Sequence, residues 1–201
     1  MNNIGIIGGS FDPIHYGHLF IAEWLRQKLN ISPILFIPAN ESPFKQHKTV
    51  ALTEDRYNML KLALEDNENF EISRIDIDRP APSYTVDTIT ILSKEYSNHN
   101  LLFILGSDAF LDIKKWRNHE KLLKLCRLVI VPRESTYNSV IIKQWLVNNL
   151  YEYQDRITFI ELPIFSVSSS LIRQRIKKNL SVRYMIPDKV LEYIKNKNLY
   201  I

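Results

Sequence analysis

Five short apolar runs with almost no polar alternation are the feature that most constrains the fold of this chain. They cover residues 4–7, 34–37, 101–105, 128–131 and 157–162. Segments with helical spacing of apolar residues separate them, at residues 19–29, 53–64, 85–96 and 140–150. Strands without polar alternation are buried on both faces, which is typical of a parallel sheet covered by helices. The sequence therefore predicts a doubly wound α/β fold with helices on both faces of the sheet.

The length and composition of the chain predict one domain. With 201 residues and 45% hydrophobic residues, the chain can bury one substantial core. We expect residues 1–201 to form a single domain, with a carboxyl-terminal helical segment from about residue 168. In such sheets ligands bind at the carboxyl ends of the strands, where the strand order reverses.

Targeting and cysteine patterns exclude several classes of protein. No stretch approaches the ~20 apolar residues that span a bilayer, and the first residues do not resemble a signal peptide. We therefore expect a cytoplasmic protein that does not bind membranes. Cys126 is the single cysteine, which excludes an internal disulfide and a multi-cysteine metal site. Its apolar neighbours predict a buried strand and a thiol that fills the core.

The net charge of +4 is unevenly distributed. Residues 170–201 hold eight Lys or Arg against two acids, which leaves 18 bases and 20 acids in the rest of the chain. This pattern favours a local anion site over a wholly basic surface. A nucleic-acid-binding module that uses this tail is an alternative, and its affinity would fall steeply with salt. A solvated helical face is the commoner case, so we expect no nucleic-acid partner.

The string "GGSFDPIHYGH", which begins at Gly8, follows the first predicted strand. Gly8 and Gly9 lack a Cβ, which frees their φ angles and lets the backbone approach a ligand closely. A helix that begins just after His15 would direct unpaired amides and the positive end of its dipole into the same space. His15 and His18 are three residues apart, so both can face that space. The string therefore predicts an anion cradle.

Two other glycine motifs are absent from this part of the sequence. Gly5, Gly8 and Gly9 do not fit the Gly-x-Gly-x-x-Gly spacing of dinucleotide-binding folds, and there is no Gly-x-x-x-x-Gly-Lys-Ser/Thr string. A dehydrogenase of the usual type and a P-loop enzyme are therefore disfavoured.

A second candidate phosphate site begins at Ser168, a predicted helix N-cap. Ser169 and Ser170 add hydroxyls and amides at the same helix terminus, and Arg173 follows on the helix. Arginine binds phosphate through a bidentate fork. Taken alone, the segment fits a capped amphipathic helix with solvated arginines equally well.

The middle of the chain holds a third group of polar and aromatic residues. Ser83, Tyr84 and Thr85 lie at the entrance of a predicted helix, where amides and a hydroxyl could receive a carboxylate. Asp108 lies just beyond a strand end, where an acid can accept ribose hydroxyls, and Trp116 offers a face for an aromatic ring. Individually, a capped helix, a surface aspartate and a core tryptophan explain these residues as well.

Two of these motifs resemble the signatures of the nucleotidylyltransferase superfamily. The first is Gly-Gly-Ser-Phe-Asp-Pro-x-His-x-Gly-His, and the second, Ile-Ser-Ser-Thr-x-x-Arg, is similar to residues 167–173, with Val and Ser as mild departures. The resemblance implies a Rossmann-like domain in which the second segment holds the β- and γ-phosphates of ATP. It implies catalytic roles for His15, His18 and Arg173. The implied ATP-binding residues are Gly8, Gly9, Ser10, Phe11, Gly106, Ser168, Ser169 and Ser170.

The middle motifs resemble one family of that superfamily, the bacterial nicotinate-nucleotide adenylyltransferases. Its members share Pro-Ser-Tyr-Thr-x-Asp-Thr and Gly-x-Asp followed by Trp, and this resemblance extends over nearly the whole chain. It implies that AMP is transferred from ATP to nicotinate mononucleotide, with Trp116 against the nicotinate ring, Thr85 on its carboxylate and Asp108 on the sugar. Ser83 and Tyr84 are placed in the same substrate site.

One loop departs from that family. Its members show Pro-Pro-His-Lys after the second strand, whereas this chain reads Ser-Pro-Phe-Lys-Gln-His-Lys from residue 42. Lys45 or Lys48 could contact phosphate from this loop, although solvated loop lysines are the commoner case.

The resemblance also implies partners and leaves some questions open. Mg²⁺ is expected with the triphosphate, held largely by phosphate and water, so no protein ligand is assigned. A relative such as phosphopantetheine adenylyltransferase shares both end motifs but would not need the Pro-Ser-Tyr-Thr segment. The preference for nicotinate over nicotinamide mononucleotide stays open, and so does the oligomeric state, a homo-oligomer included.

Overall fold

A computed structural model describes residues 2–41, 43, 51–132 and 139–201 of the chain. Among these residues there are six β-strands, in chain order β1 Asn3–Gly9, β2 Ile31–Pro38, β3 Phe70–Ile72, β4 Asn100–Gly106, β5 Arg127–Val131 and β6 Ile157–Phe159. All five strand pairings are parallel, and the sheet order is β3-β2-β1-β4-β5-β6. The order reverses between β1 and β4, so the carboxyl ends of these two strands flank the expected ligand cleft.

Helices connect the strands and cover both faces of the sheet. The described residues form α1 Tyr16–Lys28, α2 Thr53–Leu64, α3 Thr85–Glu95, α4 Ser107–Leu111, α5 His119–Leu125, α6 Ser139–Leu150, α7 Ser169–Lys177 and α8 Asp188–Asn196. Two 3₁₀ turns, Ile113–Lys115 and Tyr151–Arg156, lie between them. The predicted doubly wound α/β fold is confirmed.

The apolar strand runs are continuous because each face of the sheet has its own core. In β4, Leu102 and Ile104 belong to a core beneath α1, α2, α7 and α8, whereas Leu101, Phe103 and Leu105 belong to the core beneath α3, α5 and α6. Successive side chains of a strand point to opposite faces, so a strand covered on both sides needs apolar residues at every position.

Several predicted boundaries differ from the structure. The run at residues 157–162 is a strand only as far as Phe159. Strand β3 was not predicted, because it has three residues, at the sheet edge, with an exposed glutamate at its centre. Two short helices, α4 and α5, were also not predicted, because short elements carry little periodic signal. Helix α8 lies in the helical segment expected from about residue 168.

Cys126 is buried as predicted, but it lies at the carboxyl end of α5, one residue before β5. Burial raises the pKa of its thiol to about 12. The Sγ donates to the carbonyl of Leu122 at 3.4 Å. The thiol therefore fills space in the core and stays protonated.

The carboxyl-terminal segment packs on the α1 and α2 side of the sheet. Val190 and Ile194 of α8 are fully buried, and the Tyr193 hydroxyl donates to Asp55 Oδ1 of α2 at 2.8 Å. Lys189 pairs with Glu65. Part of the charge of the tail is thus paired with the body of the domain. Among the described residues, no helix combines the length and apolar character needed to cross a membrane.

Candidate active site

The residues of the two end motifs meet at the carboxyl end of β1. Ser169 Oγ donates to the carbonyl of Pro13 at 2.9 Å, and Arg173 Nη1 donates to the carbonyl of Asp12 at 2.6 Å. Arg173 Nη1 also lies 3.6 Å from Asp12 Oδ2. Segments separated by more than 150 positions in the chain therefore form one wall of the cleft.

His15 and His18 form a stacked pair at the start of α1. Their ring centroids are 3.7 Å apart with an interplanar angle of 28°, and the His15 amide approaches His18 Nδ1 at 3.4 Å. An imidazole nitrogen that accepts a hydrogen bond carries no proton, so the neutral His18 ring holds its proton on Nε2. His15 is buried and His18 is half-buried. The pair can therefore present a donor to an anion from His18.

Gly17 is required by the position of the His15 ring. A Cβ added at Gly17 would lie 2.9 Å from His15 Nδ1 and 3.0 Å from Cε1, closer than real Cβ contacts. Stacking on His18 leaves the His15 ring little freedom to move away. The glycine between the two histidines therefore makes room for an imidazole, a reason that the sequence pattern did not reveal.

The conformational role predicted for Gly8 and Gly9 is wrong, because no glycine of this chain has a positive φ. The left-handed conformation belongs instead to Phe11, with φ of 47°. A Cβ on Gly9 would lie 3.3 Å from the Phe11 ring, which also packs edge-on against His18 with centroids 5.2 Å apart. Close approach of this ring is therefore what Gly9 permits.

The expected set of unpaired amides at the start of α1 needs a correction. Helix α1 does begin at Tyr16, but the Tyr16 amide donates to the carbonyl of Met185 at 3.0 Å. The segment between α7 and α8 thus caps the first amide of α1. This contact is a further link between the two end regions of the chain.

The predicted cap of the second motif is confirmed. Ser168 has extended backbone, and its Oγ accepts a hydrogen bond from the Leu171 amide at 3.2 Å. Ser168 and Ser170 are exposed, and Ser169 is half-buried through its contact with Pro13. The exposed hydroxyls and the α7 amino terminus lie beside the same loop that Arg173 contacts.

Arg56 of α2 is a buried residue that sequence reasoning missed. Its Nη1 donates to the carbonyls of Ser10 and Ala39, at 2.7 and 2.8 Å, and its Nη2 donates to the carbonyl of Asn40 at 3.0 Å. Burial lowers the pKa of the guanidinium, and the nearby Asp12 carboxylate opposes that shift. Arg56 therefore ties the loop after β1 to the loop after β2. An arginine on the apolar face of a predicted helix was the available signal.

Ser83 connects the loop after β2 to the start of α3. Its Oγ accepts a hydrogen bond from the Asn40 amide at 3.0 Å, and its amide donates to the carbonyl of Glu41 at 2.8 Å. Ser83 is buried by these contacts. The structure thus places Ser83 in support of the helix entrance, and its predicted contact with substrate stays a prediction.

Helix α3 begins at Thr85, as predicted, so its amino terminus faces the cleft beside Tyr84. A buried network fixes this end of the helix. The Thr88 hydroxyl donates to Asp76 Oδ1 at 2.5 Å and accepts from Arg79 Nη2 at 2.8 Å. Burial raises the pKa of Asp76, and hydrogen bonds from Thr88 and Arg79 oppose the shift.

Asp108 and Trp116 follow β4 on the other side of the switch point. Gly106 is buried and caps α4, and Asp108 is exposed in the first turn of that helix. Trp116 is half-buried and packs edge-on against Phe103, with ring centroids 6.2 Å apart. A Cβ on Gly8 would lie 3.6 Å from the same Phe103 ring. Phe103 therefore connects the tryptophan to the end of β1.

Arg117, to which the sequence assigned no role, covers the aromatic ring of Tyr84. Its guanidinium carbon lies 4.6 Å from the ring centroid, and its Nη1 lies 4.0 Å from Asp87 Oδ2. Both charged side chains are about half exposed, at 55% and 47%. The contact joins the segment after α4 to the first turn of α3, close to Thr85.

Two predicted residues cannot be placed, because Lys45 and Lys48 lie outside the described residues. Within the described part of the chain, no group of three or more His, Cys, Asp or Glu side chains is arranged to hold a metal ion. We call the loop between β1 and α1, with the start of α1 and of α7, the phosphate end of the cleft. Its polar side chains are imidazoles, hydroxyls, the Arg173 guanidinium and the Asp12 carboxylate.

Known proteins resemble this chain over its full length. Residues 6–175 match the cytidylyltransferase-like family. A relative from Roseiflexus sp. (strain RS-1) is 43% identical over 98% of this chain and 97% of its own length. One from Dictyoglomus turgidum is 38% identical over 98% and 95%. Both carry the name probable nicotinate-nucleotide adenylyltransferase.

A solved structure supports the fold. The Plasmodium falciparum nicotinic acid mononucleotide adenylyltransferase complexed with NaAD superposes with a TM-score of 0.81 at 23% identity, covering 100% of this chain and 98% of that one. The same enzyme complexed with APC gives a TM-score of 0.78 at 24% identity. The full-length identity to the curated relatives places the chain in the nicotinate-nucleotide adenylyltransferase family, a member of the cytidylyltransferase-like family.

Proposed function

We propose that this protein transfers the adenylyl group of ATP to nicotinate mononucleotide, forming nicotinate adenine dinucleotide and pyrophosphate in NAD biosynthesis. The single observation that carries the proposal is the meeting of the two end motifs. The loop before His15 and the helix that carries Arg173 are joined at 2.6 and 2.9 Å, so one triphosphate can contact both. Full-length relatives of the same name support the choice of acceptor.

The reaction requires little acid–base chemistry from the protein. A phosphate oxygen of nicotinate mononucleotide attacks the α-phosphorus of ATP, a new P–O bond forms, and the bond to the β-phosphate oxygen breaks as pyrophosphate leaves. The second pKa of a phosphate monoester is about 6, so the nucleophile is ionised near neutral pH. Catalysis then depends on positioning and on stabilising the charge of the leaving group.

In this proposal the phosphate end binds ATP. His18 donates from Nε2 to a phosphate oxygen of the reacting group, and His15 supports the ring of His18 by stacking. Arg173 and the amino terminus of α7 bind the β- and γ-phosphates. The backbone that lines ATP comes from two strand ends and the cap of α7, namely Gly8, Gly9, Ser10, Phe11, Gly106, Ser168, Ser169 and Ser170.

The opposite side of the cleft binds the mononucleotide. Trp116 stacks on the pyridine ring, the amino terminus of α3 at Thr85 receives the ring carboxylate, and Asp108 accepts hydroxyls of the ribose. Tyr84 and Ser83 shape the entrance through their contacts with Arg117 and Asn40. Lys45 and Lys48 lie outside the described residues, so a contact of either one with the phosphates stays a prediction.

Mg²⁺ fits this site as a partner of the triphosphate. The one carboxylate at the phosphate end, that of Asp12, is buried and accepts hydrogen bonds from Tyr200 and Ala51. A cation at this end would therefore take the phosphate oxygens and water as its ligands. When bound, the ion neutralises charge that develops on pyrophosphate. Arg173 supplies positive charge from the protein, and His18 supplies a hydrogen-bond donor.

We assign the activity to residues 1–201 as one domain in the cytoplasm, where both phosphorylated substrates are available. The carboxyl-terminal helical segment belongs to this domain because α8 packs on α2 and because Met185 caps α1. A nucleic-acid partner is not required, since Arg173 of the tail lies in the cleft and Lys189 pairs with Glu65.

A pyrophosphate-release assay tests the proposal. We expect release with ATP and nicotinate mononucleotide, and mass spectrometry should identify the dinucleotide product. Phosphopantetheine in place of the mononucleotide should give no release. Release with phosphopantetheine alone would overturn the assignment of the acceptor, and absence of release with either would overturn the assignment of the reaction.

The same assay measures whether the protein prefers nicotinate mononucleotide or nicotinamide mononucleotide as the acceptor. Nicotinate carries a carboxylate where nicotinamide carries a neutral amide, and the amino terminus of α3 favours the negative charge. We expect a higher kcat/KM for nicotinate mononucleotide. Equal values for the two acceptors would contradict the role proposed for Thr85.

A further inference from the structure

Tyr200, which follows α8, is buried against the loop between β1 and α1. Its hydroxyl donates a hydrogen bond to Asp12 Oδ1 at 2.7 Å, and both side chains are buried. Burial, together with the Asp12 carboxylate, raises the pKa of the Tyr200 hydroxyl above its ordinary value, so the hydroxyl keeps its proton and stays a donor. A residue beyond the last helix thus contacts the loop that leads to His15.

The Asp12 carboxylate connects this tyrosine to the phosphate end of the cleft. Oδ1 accepts from the Tyr200 hydroxyl and from the Ala51 amide, the latter at 3.2 Å. Oδ2 lies 3.6 Å from Arg173 Nη1, which donates at 2.6 Å to the carbonyl of Asp12 itself. The carboxylate therefore has one oxygen held by neutral donors and the other directed toward the guanidinium.

This division of the two oxygens controls how strongly Asp12 holds Arg173. A carboxylate whose charge is shared with a hydroxyl and an amide attracts a cation less than one without such partners. At 3.6 Å the pair is not in close contact, so the guanidinium retains donors for a phosphate. Loss of the Tyr200 hydroxyl would remove one neutral donor from Oδ1 and strengthen the pull on Arg173.

We infer that Tyr200 is a positioning residue for ATP, which acts through Asp12 on Arg173. The inference rests on the proposed function, because it takes Arg173 to bind the phosphates of ATP. The Tyr200 hydroxyl donates a hydrogen bond to the Asp12 carboxylate, which weakens the attraction of the carboxylate for Arg173. The guanidinium then stays available to bind the triphosphate. The acceptor side, which Tyr200 does not contact in any described hydrogen bond, should be unaffected.

The chain contains a matched control in Tyr193. Its hydroxyl donates to Asp55 Oδ1 at 2.8 Å, so it also joins the carboxyl-terminal segment to an aspartate of the domain body. Asp55 lies in the first turn of α2, and neither residue belongs to the proposed site. Tyr193→Phe and Tyr200→Phe therefore each remove one tyrosine–carboxylate hydrogen bond, but only the second one lies next to Arg173.

The test compares these two variants with the wild-type protein by calorimetric titration with ATP and by pyrophosphate-release kinetics. Because only part of the contribution of this hydrogen bond reaches the bound ATP, the Kd and KM for ATP should rise roughly three- to tenfold in Tyr200→Phe. The KM for nicotinate mononucleotide should stay unchanged. Tyr193→Phe should match wild type in both KM values while losing a similar amount of thermal stability.

A double-mutant comparison tests the route through Asp12. Because Tyr200 acts on Arg173 only through that carboxylate, Tyr200→Phe should add no further loss of ATP affinity in an Asp12→Ala background. Additive losses would show that the tyrosine acts by another route and would overturn the inference. Circular dichroism of each variant checks that the fold is retained.

The outcomes separate this inference from the proposed function. Equal ATP Kd values for wild type and Tyr200→Phe, in a protein that releases pyrophosphate, would overturn the inference alone. Parallel increases in both KM values would assign Tyr200 a merely structural role and would also overturn it. A wild-type protein that binds no ATP would overturn the proposed function together with the inference.

Discussion

The phosphate end of the cleft and its acceptor end are held in place by different kinds of contact. At the phosphate end, Asp12, Arg56 and Tyr200 are buried, and their hydrogen bonds fix the loop between β1 and α1 to three other parts of the chain. At the acceptor end, Trp116 is half-buried and Arg117 is half exposed over the Tyr84 ring. The buried contacts thus hold the loop of the phosphate end itself. At the acceptor end a buried network holds the start of α3, while Trp116 and Arg117 are partly or largely open to solvent.

This difference follows from what each end must recognise. A triphosphate is bound by donors whose geometry must match the oxygens, and preorganised donors in a fixed loop are more effective than mobile ones. A pyridine ring is bound by area and stacking, which tolerate small movements of an indole. Substitutions that disturb the histidine pair should therefore change turnover, whereas substitutions at the acceptor end should change the affinity of the mononucleotide.

The largest effect is expected for His18→Ala. Loss of one preorganised donor to the charge that develops in the transition state costs about 100- to 1,000-fold in kcat, and we expect a loss in this range. Pyrophosphate release under saturating substrates measures it. His99→Ala is the matched control, because His99 precedes β4 and so lies at the amino ends of the strands, whereas the cleft lies at their carboxyl ends. A folded His18→Ala protein with wild-type turnover would contradict the role given to the imidazole pair.

The second largest effect is expected for Gly17→Ala, which should lower activity more than it lowers stability. Replacing a helical glycine by alanine normally stabilises a helix by about 0.5–1 kcal/mol. Here the added Cβ would lie 2.9 Å from the His15 ring, so the imidazole must move. We expect kcat to fall about tenfold for Gly17→Ala, since small misplacements of a reacting group cost activity. The Tm should not fall by an amount that would explain this loss of kcat.

Lys28→Ala, at the other end of the same helix, is the control for Gly17→Ala and should retain wild-type activity. If Gly17→Ala also kept full activity, the His15 ring would have to accommodate the methyl group without loss, and the rigid description of the phosphate end would be wrong.

At the acceptor end, Trp116→Ala should raise the KM for nicotinate mononucleotide and leave the KM for ATP unchanged. Stacking of a base on an aromatic side chain contributes about 1–3 kcal/mol, so we expect at least a fivefold increase. Trp24→Ala removes an exposed tryptophan of α1 and serves as the control. An equal rise in both KM values would show that the two ends are not independent.

The sequence predicted the fold and the positions of the motifs well, because both depend on local patterns. Apolar runs located five of the six strands, and the spacing of His15 and His18 predicted that the two rings lie on the same side of the helix start, where they are stacked. The contacts that fix the cradle were not predictable in the same way. Asp12, Arg56 and Tyr200 are distant in sequence, and no local pattern in the sequence indicates that they lie close together in the fold.

The sequence also predicted the wrong physical reason for the glycines near the histidines, again because the true reason depends on residues that are close only in the fold. Freedom of φ is a local property and can be proposed from any strand–loop junction, whereas the clash of a Cβ with Phe11 or His15 depends on where those rings lie. The positive φ at Phe11 likewise has no signature in the sequence, since bulky residues rarely adopt it.

The smallest predicted effect is that of Arg117→Ala, and it tests most directly whether the acceptor end differs from the phosphate end. Cation–π contacts at exposed sites contribute about 0.5–1 kcal/mol, so loss of the guanidinium from the Tyr84 ring should raise the KM for the mononucleotide about two- to fivefold. Arg117→Lys keeps the charge and removes the planar group, and it should recover only part of the affinity. If both variants instead lowered kcat at saturating substrates, the acceptor end would share the rigidity of the phosphate end, and the distinction between the two would fail.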